Sequence, residues 1–145
     1  MPAEPHPRVL VADVREAPLS LDEVVEAVRE ATCGGLVTFV GMVRDHDHGK
    51  AVDGLGYSAH PLATEQLAAV CTRVANAHST ARVGAVHRVG QLAVGDLAVV
   101  VAVAAPHRGE AFAACRELID TLKHEVPIWK HQVFADGEDE WVGIA

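Results

Sequence analysis

Residues 97–105 read "LAVVVAVAA", nine consecutive apolar residues of which four are valine. Branching at Cβ favours the pleated, extended backbone. The run shows no apolar–polar alternation, so neither face of the strand is built to meet water. Such a strand is central, and the rest of the chain has to cover it on both sides. The run is also far short of the roughly eighteen apolar residues that a bilayer-crossing helix requires.

The remaining segments supply that cover. "RVLVADV" (8–14) alternates as a first strand, and Ser20 caps a helix over "SLDEVVEAVREA" with Leu21, Val24, Val25 and Val28 in helical register. "CGG" (33–35) ends it, and "LVTFVGMVR" (36–44) is a strand in which Gly41 marks a bulge or a close approach. "DHDHGKAVD" (45–53) has no periodicity and is expected to be a mobile loop, followed by a short strand near Leu55–Ala59. Pro61 opens a second helix to about His78, with Leu67, Val70, Cys71 and Val74 inward. "RVGAVHRVG" (82–90) is a strand, and after the central run a third helix covers 106–126 with Phe112, Cys115, Ile119 and Leu122 inward. That helix must stop near Val126, because Pro127 disfavours helical geometry in the residue before it. "IWKHQVF" (128–134) and a last short strand around Trp141–Val142 complete the chain. The expectation is one α+β domain over residues 1–145, with some seven strands and three helices.

Twenty carboxylates against twelve lysines and arginines give a formal charge of −8, which argues against a nucleic-acid partner. The opening "MPAEPHPRVL" has no basic region leading into an apolar core, so a cytoplasmic protein with no membrane segment is expected. Cys33, Cys71 and Cys115 are odd in number and form no CxxC; Cys71 and Cys115 fall on apolar helix positions as buried thiols. Phosphate-loop, GxGxxG and GxSxG patterns are absent.

Screening confines charge effects to roughly 8 Å at physiological salt, so a few convergent cations can still make an anion site here. Two of the three lysines lie in "LKHEVPIWKHQ" (122–132), on either side of Pro127. Lys123 in a last helical turn gains from the helix dipole in any case, and Lys130 between apolar strand neighbours can simply snorkel. If the chain reverses at Pro127 the two ammonium groups can instead converge, each depressing the other's pKa towards the range where an amine acts as base or nucleophile. "AAPHRGEAF" starts the third helix without a favoured capping side chain, which leaves N–H groups for an anion or for water. His107 and Arg108 stand at that mouth, either gripping a phosphate or solvated. Arg44 ends a strand before the polar loop, open to either role. The "HDH" at 46–48 is too thin a pattern to assign a metal.

Four segments in order, "VTFVGMVRDH" (37–46), "VHRVGQLAVGD" (86–96), "APHRGEAF" (105–112) and "LKHEVPIWKHQ" (122–132), followed by Trp141, closely resemble the large catalytic subunits of molybdopterin synthases. The resemblance covers about residues 8–142. It implies an α/β hammerhead-type fold with an additional small antiparallel sheet. It also implies transfer of two dithiolene sulfurs to cyclic pyranopterin monophosphate. The sulfur would come from the thiocarboxylated Gly-Gly terminus of a small ubiquitin-like subunit, with no resident cofactor and no metal. The assembly it implies is a homodimer inside a heterotetramer. Carried over by position, Lys123 and Lys130 match the catalytic lysines, with Lys123 the more critical. Arg44, His107 and Arg108 match the substrate's anion site, and Phe39 matches a pocket-lining aromatic. "LGYSAHP" (55–61) departs from the acidic pattern common there, so no catalytic role is assigned to it. The competing reading is a non-catalytic module that binds a pterin or another phosphorylated metabolite; the paired lysines argue against it.

Overall fold

The computed structural model describes residues 6–143; the first five and last two residues of the expected domain lie outside them. In chain order the elements are β1 (Val9–Arg15), α1 (Leu21–Val28), β2 (Gly35–Met42), β3 (His46–Asp47), β4 (Lys50–Ala59), α2 (Ala63–Ala77), β5 (Arg82–Arg88), β6 (Gly90–Leu92), β7 (Leu97–Ala105), α3 (Arg108–Glu125), β8 (Ile128–Phe134) and β9 (Asp139–Gly143). A four-stranded sheet runs β1-β5-β7-β2, with β1 parallel to β5 and the other pairs antiparallel. A second, wholly antiparallel sheet runs β3-β4-β8-β9, with β6 also paired to β4. This is the expected α+β class with its additional antiparallel sheet.

The apolar run forms β7, paired on both edges by β5 and β2. Val99, Val101 and Val103 join the cluster formed with α2 and α3, while Val100, Ala102 and Ala104 pack with α1 on the other face. All four valines of β7 are fully buried, at about 1.5–3 kcal/mol each. The uninterrupted pattern is thus a strand with helices on both sides.

Three expectations need correction. Residues 45–53 are not a loop: β3 and β4 form a tight hairpin, with His48 (φ 51°) and Gly49 (φ 73°) as its two turn residues. Both central residues at positive φ suit the twist of a two-residue hairpin. The polar composition hid the pairing; Lys50 holds it by ion pairs to Asp136 (3.1 Å) and Glu138, and the His48 ring by a hydrogen bond to Glu140 (3.1 Å). Second, the single strand expected over 82–90 ends at Arg88, because Gly90 (φ 97°) turns the chain into the other sheet as β6. Together β3 and β6 raise the strand count among the described residues to nine, against the seven expected. Third, Phe112 is 60% exposed. The inward stripe of α3 is Ala111, Ala114, Cys115, Leu118, Ile119 and Leu122, and Phe112 lies one helical step to its side. Cys71 and Cys115 are buried as expected, and burial pushes their thiols up to about 12 and about 11.

His87 is a fully buried histidine on β5, beside Val14 of β1 and Val99 of β7. Its ring packs edge-on against Tyr57, with centroids 4.9 Å apart. Burial pulls its pKa from the ordinary 6.5 down to about 4, and the positive charge of Lys123 acts the same way. The unfolded chain therefore takes up this proton below about pH 6.5, whereas the native chain does so only near 4. That difference contributes stability which is fully present above pH 6.5 and is lost as the pH falls to 4, by about 3 kcal/mol in total. Thermal unfolding across this window is expected to fall less steeply for His87→Gln than for wild type; parallel slopes would contradict the assignment.

Candidate active site

Pro127 sets the geometry. It stops α3 and returns the chain as β8, which lies against β4. Lys123 in the last turn of α3 and Lys130, third in β8, then line one cavity of about 160 Å³. Its floor and walls include Val99, Tyr57, Asp47 and Gln132, and Arg44 lies on its lining just beyond β2. The convergence that the sequence left open is realised.

The electrostatics follow from burial and charge. Burial pushes the Lys123 ammonium below the ordinary lysine range, and the neighbouring positive Lys130 lowers it further. Lys130 stands opposite Tyr57 across the β4–β8 pair. Asp47 is held below the usual carboxylate range, first by the hydrogen bond from Gln132 and then by the charges of His48 and Lys130 and a bond from Arg44. The Arg44 guanidinium donates to Asp47 at 3.1 Å while its side chain stays 77% exposed, so it sits at the rim. Gln132 is buried and donates to both Asp47 and Glu140, tying the β3–β4 hairpin to β8 and β9.

His107, Arg108 and Phe39 lie elsewhere within the chain. His107 precedes α3 and makes no side-chain capping bond, as the sequence suggested. Arg108 begins the same helix that carries Lys123 near its end, about 22 Å away at 1.5 Å per residue. The start of β2 abuts them there: a Cβ on Gly35 would lie 3.0 Å from the Arg108 nitrogen. Phe39 is 40% exposed on β2, an edge strand of the first sheet. One chain thus joins Arg44, Lys123 and Lys130 and leaves the other three candidates outside the cavity.

Tyr57, Asp47 and Gln132 line the cavity without having been singled out. Tyr57 is the chain's only tyrosine, but a buried strand tyrosine carries no mark of a site. Asp47 sat in the segment misread as a loop. Gln132 did carry a signal, since strand alternation puts it on the face of Lys130. The "HDH" stretch splits: His46 bonds Asp45, whereas His48 with Asp47 and Glu140 brings three ligand-type atoms within 4.8 Å. These side chains already pair with one another and with Gln132.

The sequence profile of a protein family described as "MoaE protein" matches residues 14–125. The chain belongs to this family. The molybdopterin synthase catalytic subunit 1 of Mycobacterium tuberculosis is 46% identical over 129 residues, covering 88% of this chain and 87% of that protein. The molybdopterin synthase catalytic subunit of a Nostoc species is 44% identical over 88% of this chain and 79% of its own length. Among solved structures, the crystal structure of molybdopterin synthase from Staphylococcus aureus superposes with a TM-score of 0.84 at 31% identity, over 90% of this chain and 95% of that one. The family resemblance read from the four ordered motifs is borne out.

Gly41 is part of what shapes the cavity. The β2–β7 register slips between Gly41 and Met42, and a Cβ at Gly41 would meet Val99 Cγ1 at 2.7 Å. Gly41→Ala is expected to press on the buried Val99 that floors the cavity and to cost about 1–3 kcal/mol. Denaturant unfolding checks this, and an unchanged midpoint would show that Val99 can turn aside freely.

Proposed function

We propose that this chain is the catalytic subunit of a molybdopterin synthase. In this reading it moves sulfur from the thiocarboxylated terminus of a small ubiquitin-like subunit onto cyclic pyranopterin monophosphate, forming the dithiolene. The observation that carries it is Lys123, held below the ordinary lysine range beside Lys130 in a cavity with Arg44 at its rim.

Each group has a use there. The substrate phosphate and the thiocarboxylate are both anions, and cations in a partly dry cavity attract them far more than the same cations would in water. Lys123, kept nearer its neutral form, accepts and returns protons as carbon–oxygen bonds give way to carbon–sulfur bonds. Lys130 keeps a positive charge facing the acyl group and discourages protonation of Lys123. The cavity of about 160 Å³ is narrow, which suits a tail of glycines that bring no side chains. No resident cofactor is needed: the pterin is the substrate and the partner supplies the sulfur.

Phosphate recognition by His107 and Arg108 requires a second copy of the chain, because α3 separates the pair from its own Lys123 by about 22 Å. We therefore assign the working form to a homodimer in which each copy lends this pair to the other's cavity, with Phe39 on the exposed β2 edge near the junction. One small subunit at each end completes a heterotetramer. Among the described residues no helix is long and apolar enough to cross a membrane. With Cys33, Cys71 and Cys115 all free, we place the protein in the cytoplasm.

Single-turnover conversion of cyclic pyranopterin monophosphate, with a thiocarboxylated small subunit and products read by mass spectrometry, tests this. Wild type is expected to install two sulfurs. Lys123→Ala is expected to slow the reaction by roughly 10²–10⁴-fold, the usual worth of a positioned acid–base group. Arg108→Ala is expected to raise KM with a smaller effect on kcat. Conversion by Lys123→Ala at the wild-type rate would remove that lysine from the chemistry, and no conversion by wild type despite binding of both partners would favour a pterin-binding module.

A further inference from the structure

Among the described residues, His87 Nε2 is one of two buried side-chain nitrogens with no hydrogen-bond partner in the protein. Buried polar atoms left unpaired are rare, and a specific one calls for an explanation. Its partner nitrogen fixes what kind of atom it is. Nδ1 lies 2.7 Å from the Arg88 carbonyl oxygen. A carbonyl oxygen can only accept, so Nδ1 carries the proton and Nε2 presents a bare lone pair.

The His87 ring packs against residues that line the cavity. His87 stands on β5 with alternate residues Val83 and Ala85, which face the cluster packed by α2 and α3. Its strand neighbours are Val14 on one side and Val99 on the other, and Val99 floors the cavity. Tyr57, edge-on to the imidazole, also lines it, with Lys130 directly across the strand pair. From α3 the charge of Lys123 reaches the imidazole. Arg88, next in the strand, turns its guanidinium to Asp96 at 3.1 Å instead. Lys130 pairs with Tyr57 on the second sheet, whereas Lys123 is the cation whose charge acts on the imidazole, and it has N–H bonds to give and a flexible four-carbon stem to bring them.

We propose that His87 is a positioning residue for Lys123: during turnover its Nε2 accepts one N–H of that lysine, directly or through one water, and so aims the rest of the head group into the cavity. A neutral acceptor suits this place. A carboxylate there would hold the lysine firmly protonated, and a second cation would push it away, whereas imidazole orients the nitrogen and leaves its proton exchangeable. The same bond satisfies the orphaned lone pair.

The inference rests on Lys123 being the working amine, and its test has one arm that does not depend on activity. ¹⁵N NMR of His87 Nε2 is compared between the ligand-free protein, where this nitrogen has no partner, and the protein saturated with cyclic pyranopterin monophosphate, in wild type and in Lys123→Ala. On loading, the wild-type signal is expected to move towards that of a hydrogen-bonded acceptor while the variant's stays in place. An unmoved wild-type signal at demonstrated saturation would overturn the proposal, whereas failure to bind the pterin at all would overturn the proposed function on which it rests.

The second arm compares His87→Gln, whose Oε1 offers an acceptor near the position of Nε2, with His87→Asn, whose shorter side chain reaches only the Nδ1 position. The asparagine variant is expected to lose roughly tenfold to a hundredfold in kcat with KM nearly unchanged, the scale of a misaimed catalytic group. The glutamine variant is expected to stay within a few-fold of wild type. Equal loss in both, or loss in neither, would reduce His87 to packing. If the asparagine variant does not fold, the NMR comparison decides together with the glutamine variant: a glutamine enzyme crippled in kcat would overturn the proposal.

Discussion

Burial of β7 on both faces is the constraint from which the other elements take their places. Because its valines are covered by α1 on one side and by α2 and α3 on the other, β7 has to lie inside the sheet, and β5 and β2 become its neighbours. Fixing β2 fixes where Arg44 leaves it. Packing α3 along the sheet fixes where Lys123 arrives. The second sheet joins the same core through Leu55, Tyr57 and Ile128, which places Lys130 opposite Tyr57. The cavity is thus the seam where two sheets and the end of one helix meet, and no single element contains it.

A protein of net charge −8 builds a cationic site by leaving two of its three lysines, Lys123 and Lys130, out of ion pairs with the carboxylates of the described residues. Lys50 is spent on the hairpin, paired with Asp136 and Glu138. The cavity's one carboxylate, Asp47, is already engaged by Gln132 and Arg44. Lys123 is left with burial on one side and a like charge on the other, both of which favour its neutral form. Behind it, His87 is uncharged at neutral pH because burial costs its charged form more than the surroundings return. The arrangement therefore combines local attraction for anions with an amine held below the ordinary lysine range, and sulfur transfer between two anionic partners uses both.

Much of this was legible in the chain. The apolar run announced a central strand, Pro127 announced the reversal that joins Lys123 to Lys130, and the uncapped start of α3 was visible from its residue types. The hairpin at 46–51 was not, because Ala51 is the one apolar residue among its cross-strand pairs and its turn, His-Gly, lacks the Asn-Gly or Asp-Gly signature. Phe112 was misplaced because apolar character was taken for inward direction, whereas small alanines at 111 and 114 let α3 pack close to the sheet and occupy that direction. Tyr57 and Gln132 reach the cavity only through strand register, which depends on residues far away in sequence. For His87, only the tertiary structure shows that the ring packs on Tyr57 of the cavity lining with one nitrogen unpaired.

The claim on which everything turns is that Lys123 is poised below an ordinary lysine, and its titration can be followed directly by NMR of a selectively labelled ε-position in wild type and in Lys130→Gln. Lys123 is expected to titrate below the ordinary 10.5 in wild type. In the variant it should move part of the way back, since burial is the larger cause and Lys130 the smaller. A wild-type Lys123 that titrates at or above the ordinary lysine value would contradict the account.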